Sequence, residues 1–248
     1  MSFFKKLRPD QEFQPLRRAV PPGRGSVTTA TTAVPLSTPL AGCASSPTAA
    51  RLSNGLKEFL WQLEGIGHGH LVDLGPARQT TITFFIDRGF KVYSEDLLES
   101  WKIFLDTEAQ RERALPAGAD RSELTPASRA ERYLESVLKY PPNTFDAVLA
   151  WDLLDYLDAE VVPRLVARLT SVVRDGGVLL AMFHARKPEA FHRYRVLDAQ
   201  NLELIPSPCP FAPQRVFQNR EISNLFRRFH SSKTFVGRDQ IREGLFIK

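Results

Sequence analysis

The chain has 248 residues, a net charge of +5 and 43% hydrophobic residues, which is enough apolar material for one sizeable folded domain. Residues 1–50 hold six Lys and Arg against two Asp and Glu, so this segment carries +4 and the remaining residues only +1. A nearly neutral folded part argues against a broad nucleic-acid-binding face, because phosphate neutralisation needs clustered cations. No window of the sequence is long and apolar enough for a transmembrane helix.

The first fifty residues differ in composition from everything that follows. Residues 20–50 are rich in Ser, Thr, Pro and Ala and offer little apolar surface to offset chain entropy. The sequence therefore predicts a disordered basic tail over residues 1–50 and one folded domain over residues 51–248. Residues 3–8 combine two Phe with three cations, as membrane-surface anchors do, but Pro9 ends the run, so a solvated tail is favoured over a weak membrane contact.

The two cysteines, Cys43 and Cys209, have no partner at metal-ligand or redox spacing. We predict two free thiols, no metal site and a cytoplasmic location, where thiols stay reduced. Leu40 to Cys43 is similar to a lipoprotein cleavage box, but the segment before it lacks the apolar run of a signal peptide.

The first predicted elements are a helix, a strand, a second helix and a second strand. Apolar residues at helical spacing occupy residues 56–63, and an apolar run over residues 71–75 ends at a glycine. Residues 80–88 have helical character and close at Gly89, and residues 90–96 are rich in β-formers and end in two carboxylates. This order predicts a βαβ unit with two parallel strands.

The middle of the chain alternates in the same way. Helices are predicted over residues 97–105 and 126–138, with no convincing strand between them, and a strand over residues 145–151. An amphipathic helix follows over residues 160–173, and a glycine turn leads into the apolar run at residues 178–183, which is typical of a buried central strand.

The last third contains short extended segments at residues 195–197 and 202–205 and a helix over residues 219–229. Two strands, at residues 233–236 and 245–247, are predicted to pair antiparallel. The alternation of strands and helices predicts an α/β fold, a Rossmann-like, doubly wound and mostly parallel sheet with a C-terminal antiparallel strand pair.

Four motifs in order resemble those of class I S-adenosylmethionine-dependent methyltransferases. They are the segment Val72-Asp73-Leu74-Gly75-Pro76-Ala77, the acidic end of the second strand, Phe145-Asp146-Ala147-Val148, and Asp175-Gly176-Gly177-Val178-Leu179. The resemblance covers roughly residues 52–248 and includes the C-terminal strand pair that this family adds to a Rossmann-like sheet. It implies S-adenosylmethionine as the cofactor and methyl transfer as the activity.

The resemblance also implies roles for particular residues. Asp73 and Gly75 would lie under the methionine part of the cofactor, with Ala77 as a small residue of the same turn. Asp96, with Glu95 as its rival, would accept hydrogen bonds from the ribose hydroxyls, as a carboxylate can do for a diol. Asp152 would lie near the methyl sulfonium or the acceptor.

Methyl transfer requires mainly proximity and in-line orientation, and it requires a general base only when the acceptor loses a proton. The candidate bases are Asp152 and His184, with Asp155 and Tyr156 as residues that equally fit helix capping or the surface. The acceptor is predicted to be a small molecule held by residues 98–140 and 185–215, because variable loops bind the substrate in this fold.

A second hypothesis is a non-catalytic methyltransferase-like binding or regulatory module. The segment from Gly75 to Gln79 lacks two of the three glycines that the family usually has, and Gln79 brings a long side chain to a turn that should approach the cofactor closely. In this alternative, Arg227, Arg228, Arg238 and Arg242 would form a docking patch. A dinucleotide site is excluded, because the turn lacks the glycines that admit a pyrophosphate.

Overall fold

The computed structural model describes residues 49–116 and 124–248. The predicted tail therefore lies outside the described residues, apart from its last two positions. The helices and strands follow in chain order: β1 Ala49–Leu52, α1 Asn54–Gln62, β2 Gly69–Asp73, α2 Gln79–Ile86, β3 Phe90–Ser94, α3 Leu97–Ala114, α4 Pro126–Ser136, β4 Phe145–Trp151, α5 Val161–Val172, β5 Val173–His184, β6 His192–Val196, β7 Asn201–Pro206, α6 Asn219–Leu225, β8 Ser231–Val236 and β9 Ile241–Ile247.

Six strands form the central sheet, in the order β3-β2-β4-β5-β9-β8. The first four are parallel, and β9 pairs antiparallel with both β5 and β8. Each parallel crossover carries helix, as a parallel sheet requires. The predicted fold class is confirmed: a mostly parallel Rossmann-like sheet with a C-terminal antiparallel pair.

Apolar side chains of the central strands alternate between the two faces of the sheet, as strand geometry requires. Along β5, Leu179 and Ala181 belong to one core cluster, and Leu180 and Met182 to the other. The first cluster contains residues of α3, α4, α5 and α6, and the second contains residues of α1 and α2. The sheet is therefore covered on both faces, which explains why β4 is buried along its whole length.

A second sheet of three antiparallel strands has the order β1-β7-β6. The sequence indicated β6 and β7 only as short extended segments, and it indicated neither β1 nor the pairing. Tyr194, Val196 and Leu202 of this sheet belong to the same core cluster as Leu71 and Leu149 of the central sheet. The small sheet therefore packs on the central sheet near the carboxyl ends of its parallel strands.

Several boundaries differ from the prediction; for example, β9 begins at Ile241 and not at residue 245. Helix α3 extends nine residues further than predicted, whereas α6 ends at Leu225 instead of residue 229. Strand β5 begins at Val173, so the predicted glycine turn lies inside it: the pairing with β4 shifts there, and Gly176 adopts a left-handed backbone with φ of 77°. No helix in the described residues is long and apolar enough to cross a lipid bilayer.

Candidate functional site

The carboxyl ends of four parallel strands bring polar residues together. Asp73 ends β2, Asp96 follows β3, Asp152 follows β4, and His184 ends β5. Ligand sites of open α/β sheets lie at this edge, where successive helices leave in different directions. A small cavity lies here, with a lining drawn from the β2 and β4 ends and from β6: Leu74, Gly75, Pro76, Asp96, Leu98, Trp151, Asp152, Leu153, Phe191, His192, Arg193 and Tyr194.

Asp73 is buried one layer behind this lining. Its Oδ1 accepts hydrogen bonds from the backbone N–H of Gly75, at 3.0 Å, and from the indole N–H of Trp151, at 2.6 Å. Desolvation raises the pKa of Asp73 to about 6, although both hydrogen bonds favour the charged form. The predicted cofactor carboxylate is thus already engaged by a residue of the same chain.

Trp151 is the residue that covers the glycine turn. A Cβ atom at Gly75 would lie 3.0 Å from Cδ1 of Trp151, so a larger residue would push the indole away by a few tenths of an ångström. Trp151 has a left-handed backbone, with φ of 46°, which is uncommon for a bulky residue. Its ring stacks on Tyr194, with centroids 5.4 Å apart and planes 5° apart. The sequence predicted Trp151 only as the last residue of a strand and did not indicate that it would face the cavity.

The later part of the predicted glycine turn, from Ala77 to Gln79, lies away from the cavity. Ala77 is exposed and is not part of the cavity lining, so the structure does not bring it to the other candidate residues. Gln79 starts α2, and its side-chain amide donates to the hydroxyl of Thr83 at 3.0 Å. The expectation that Gln79 crowds the turn is wrong, because its side chain runs along the helix surface.

The two rival ribose residues are separated by the fold. Asp96 lines the cavity and caps α3 through the backbone N–H of Glu99, at 3.2 Å, and its Oδ2 accepts from the Arg193 guanidinium at 2.9 Å. Glu95 instead accepts from the backbone N–H of Leu138, at 3.2 Å, and is not part of the lining. Of the two, only Asp96 is placed to meet a ligand in the cavity.

Asp152 and His184, the predicted catalytic residues, lie side by side. His184 Nε2 is 3.8 Å from Asp152 Oδ2, and that oxygen also accepts from the Tyr194 hydroxyl at 3.2 Å. Burial raises the pKa of Asp152 to about 7, against the favourable charge of His184. Asp152 lines the cavity, whereas His184 lies behind it on the side of a separate open groove of about 340 Å³.

The remaining candidates are buried. Asp155 is 0% exposed and accepts from the backbone N–H and from Nδ1 of His184, so it is neither a helix cap nor a surface residue. Tyr156 is also buried. Arg242 belongs to no docking patch: it is buried and donates to the side chain of Asn219 and to the carbonyl oxygens of His184 and Phe217.

Sequence reasoning missed Arg193 and Tyr194, which complete the cavity from β6. The guanidinium of Arg193 is paired with Asp96, and the hydroxyl of Tyr194 is bonded to Asp152. The only available signal was the short β-like pattern near residue 195, which says nothing about where the strand packs. These two residues and Trp151 reduce the cavity to about 20 Å³, which is room for about one water molecule.

S-adenosylmethionine fits the chemistry of these residues but not the present volume. Carboxylates suit its cationic groups and its ribose hydroxyls, and here a Trp N–H and an Arg guanidinium occupy two of them. Small-molecule sites usually measure about 300–1,000 Å³, so binding requires that the side chains of Trp151 and Arg193 move.

No family model matches the chain, and no curated protein does. Solved structures do match. They include TehB from Haemophilus influenzae (16% identity, TM-score 0.41, 77% of this chain and 61% of that chain). They also include the Burkholderia thailandensis 1,6-didemethyltoxoflavin-N1-methyltransferase, solved with S-adenosylhomocysteine (17%, 0.42, 79% and 78%), and an S-adenosylmethionine-dependent methyltransferase from Mesorhizobium loti (14%, 0.43, 77% and 96%).

The chain thus spans about three fifths of the TehB chain. Identities of 14–17% and TM-scores of 0.41–0.43 carry no argument about activity or substrate. The strand order of the central sheet shows the fold, and the proposed function rests on the residues at its carboxyl edge. The chain is similar to class I S-adenosylmethionine-dependent methyltransferases in its ordered motifs and in its sheet architecture.

Proposed function

We propose that the chain binds S-adenosylmethionine at the carboxyl edge of its central sheet and transfers the methyl group to a small-molecule acceptor. The observation that carries this proposal is that Asp96 and Asp152 line one cavity beside the Gly75 turn, with Asp73 buried directly behind that turn. These carboxylates come from positions that are 79 residues apart at the extremes, and each follows or ends a different parallel strand. Structural stability alone does not require three carboxylates at one apolar edge, because each costs free energy to bury.

Each residue of the site would have a separate role in binding the cofactor. Asp96 would accept the ribose hydroxyls, and Asp73 would accept an ammonium group across the Gly75 turn. Bound S-adenosylmethionine would supply an electrophilic methyl group on a positively charged sulfur. Asp152 would face that charge, and Tyr194 would hold the Asp152 carboxylate in place through its hydroxyl. Both Trp151 and Arg193 must release their carboxylates first.

A small-molecule acceptor agrees with the dimensions and the charge of the site. The groove beside His184 measures about 340 Å³ and shares His192 with the cavity lining, so it offers a small-molecule acceptor a route from solvent to the cavity. Its lining contains His184, six residues between 186 and 192, Leu204 and residues 239–241, so the predicted substrate segment 185–215 contributes to it. The remaining charge of +1 outside the first fifty residues leaves little attraction for nucleic acid.

Isothermal titration calorimetry of the full chain with S-adenosylmethionine and S-adenosylhomocysteine tests the proposal. We expect binding that weakens at least about tenfold in Asp96→Asn, since a good hydrogen bond to a charged group contributes about 1.5–3 kcal/mol. Asp175→Asn is the matched control: its carboxylate is 88% exposed in the irregular segment of β5. Unchanged affinity in Asp96→Asn would place the cofactor elsewhere.

The non-catalytic module remains the second candidate, because Trp151 and Arg193 fill the site with the chain's own groups. The two candidate functions predict different results for one variant. Arg193→Gln frees Asp96, so an enzyme held closed by this ion pair should bind S-adenosylhomocysteine more tightly, whereas Arg195→Gln on the same strand should not change the affinity. Absence of binding in the folded wild-type chain and in Arg193→Gln would favour the non-catalytic module.

A further inference from the structure

Two buried carboxylates and the partly buried His184 connect the closed cavity to the open groove. Asp152 lines the cavity, His184 lines the groove, and Asp155 lies behind His184. Asp152 and Asp155 are 3% and 0% exposed, and they leave opposite ends of the single 3-10 turn that follows β4. Two carboxylates on either side of one imidazole form an arrangement in which a proton can be shared and passed on.

The hydrogen bonds of Asp155 fix the orientation of the imidazole. Oδ2 of Asp155 accepts from the backbone N–H of His184 at 2.8 Å and lies 2.9 Å from Nδ1 of the same residue. A carboxylate at this distance assigns the ring hydrogen to Nδ1, which leaves Nε2 as the basic nitrogen. Nε2 lies 3.8 Å from Oδ2 of Asp152, which is an ion-pair separation and not a hydrogen bond, so proton transfer requires the two groups to approach by about 1 Å. The backbone bond fixes the position of His184 at the end of β5 relative to Asp155.

We propose that Asp152, His184 and Asp155 form a proton relay that carries a proton from an acceptor in the cavity to water in the groove. The proposal rests on the proposed function, because it takes the cavity as the place where the methyl group is transferred. It also restricts the acceptor to a hydroxyl or N–H group that has a proton to lose. Asp152 is the catalytic residue of this relay, and His184 and Asp155 are positioning residues.

The proposed relay has three proton-transfer steps. The acceptor O–H or N–H would give its proton to a carboxylate oxygen of Asp152 as its oxygen or nitrogen bonds to the methyl carbon. The bond from that carbon to sulfur would break at the same time, and its electron pair would stay on the sulfur, which becomes neutral. Asp152 then passes a proton to Nε2 of His184, and the Nδ1–H of that ring stays with Asp155. The imidazolium loses the Nε2 proton to water, because the His184 ring borders the groove. The net change is one proton released to solvent for each methyl group transferred.

The surroundings of the relay favour a mobile proton. Burial lowers the pKa of His184, but the hydrogen bond to Asp155 and the charge of Asp152 outweigh it, so the net shift is upward. Desolvation raises the pKa of Asp155 as it does that of Asp152. The other titratable or charged groups that act on these three residues are Tyr156, Tyr194, Cys209, Asp239 and Arg242. Within the described part of the chain, Oδ1 of Asp155 and the hydroxyl of Tyr156 have no hydrogen-bond partner.

The first test is a nitrogen-15 NMR titration of histidine-labelled full chain, with the His184 signals assigned from His184→Gln. We expect the neutral ring to carry its hydrogen on Nδ1, and the pKa of His184 to fall in Asp155→Asn and in Asp152→Asn. Asp175→Asn should leave it unchanged. A ring hydrogen on Nε2, or a pKa of His184 that is insensitive to Asp152→Asn, would overturn the relay.

The second test asks whether the cavity is coupled to the relay. Calorimetric titrations at pH 7.0 in phosphate and in Tris give the number of protons released on binding, because the two buffers differ in ionisation enthalpy. S-adenosylmethionine carries a positive sulfur and S-adenosylhomocysteine does not, so we expect more proton release with the former and no such difference in Asp152→Asn. Equal release for both ligands in the wild-type chain would refute the coupling.

The two proposals can fail separately. If neither ligand binds the folded chain, the proposed function fails, and the NMR titration still decides whether Asp152 and His184 share a proton. If both ligands bind but His184 titrates independently of Asp152, the cofactor site stands and the relay falls. A pH profile of turnover, once an acceptor is found, should lose its low-pH limb in Asp152→Asn.

Discussion

The central sheet and the three-stranded sheet β1-β7-β6 contribute to the site in different ways. The central sheet supplies the carboxylates from strands that are buried on both faces, so their positions follow from the sheet order. The small sheet supplies Arg193 and Tyr194, which meet those carboxylates from the other side. The comparison teaches that the central sheet fixes which carboxylates lie at the site, whereas the small sheet determines how far the cavity beside them is open.

The largest effect should come from breaking the buried ion pair that ties the two sheets together. The guanidinium of Arg51 in β1 contacts the carboxylates of Glu243 in β9 and of Asp239, and Glu243 is only 2% exposed. Arg51→Met leaves a buried charge without its cation, so the free energy of unfolding should fall by about 3–5 kcal/mol in urea denaturation. The matched control is Arg164→Met, whose partly exposed pair with Glu160 should contribute less than about 1 kcal/mol. Equal losses in both variants would contradict this ranking.

The next largest effect tests whether the small sheet is firmly packed on the central sheet or only loosely attached to it. Leu202 is fully buried in the same core cluster as Leu149 and Leu180. Leu202→Ala should therefore lower the free energy of unfolding by about 2–5 kcal/mol, as much as Leu179→Ala in the central sheet. If the small sheet opens as a unit, Leu202→Ala would instead leave global unfolding unchanged and speed amide exchange only in β6 and β7.

The charge of Asp152 should make stability depend on pH. Its pKa in the folded chain is raised from 3.8 to about 7, so the folded state holds this proton more tightly than the unfolded state. The stabilisation is therefore complete below about pH 4 and is lost as the pH rises through about 7. Asp152→Asn removes that loss, and it should be more stable than wild type at pH 8 by about 1–3 kcal/mol and similar at pH 4.5.

Thermal unfolding at both pH values checks this prediction. If Asp152→Asn is less stable than wild type at pH 8, the ion pair with His184 contributes more free energy than the burial of the Asp152 charge costs. Asp73 has a pKa raised in the same direction, to about 6, so the wild-type chain as a whole should lose stability between pH 4 and pH 7 from both residues.

The smallest change in stability is expected for the Arg193–Asp96 ion pair, although this contact should have the largest effect on ligand access to the cavity. The Arg193 and Asp96 side chains are 14% and 23% exposed and share one charge-assisted hydrogen bond, so Arg193→Gln should lower the free energy of unfolding by about 1–2 kcal/mol. The same substitution should increase the affinity for S-adenosylhomocysteine, as argued above. A large loss of stability without a gain in affinity would make Arg193 a structural residue of the small sheet.

Local patterns determined most of the central sheet. The strand at residues 145–151 was predicted with its observed bounds, and the C-terminal antiparallel pair was predicted as such, because buried strands show continuous apolar runs. The boundaries that were wrong, in α3, β5 and α6, are places where periodicity gives no stop signal. The glycine pair in β5 was taken for a turn, since a bulge inside a strand and a turn use the same residue type.

The sequence by itself placed Asp73, Asp152 and one of Glu95 and Asp96 at the carboxyl edge, because each follows or ends a recognisable strand. Only the tertiary structure decided that Asp96 and not Glu95 faces the cavity, that Ala77 and Gln79 lie outside it, and that Asp155 holds His184. The physical reason is the range of the interactions. Strand and helix patterns arise between residues a few positions apart, whereas Arg193 and Asp96 are 97 positions apart and meet only after two sheets have packed.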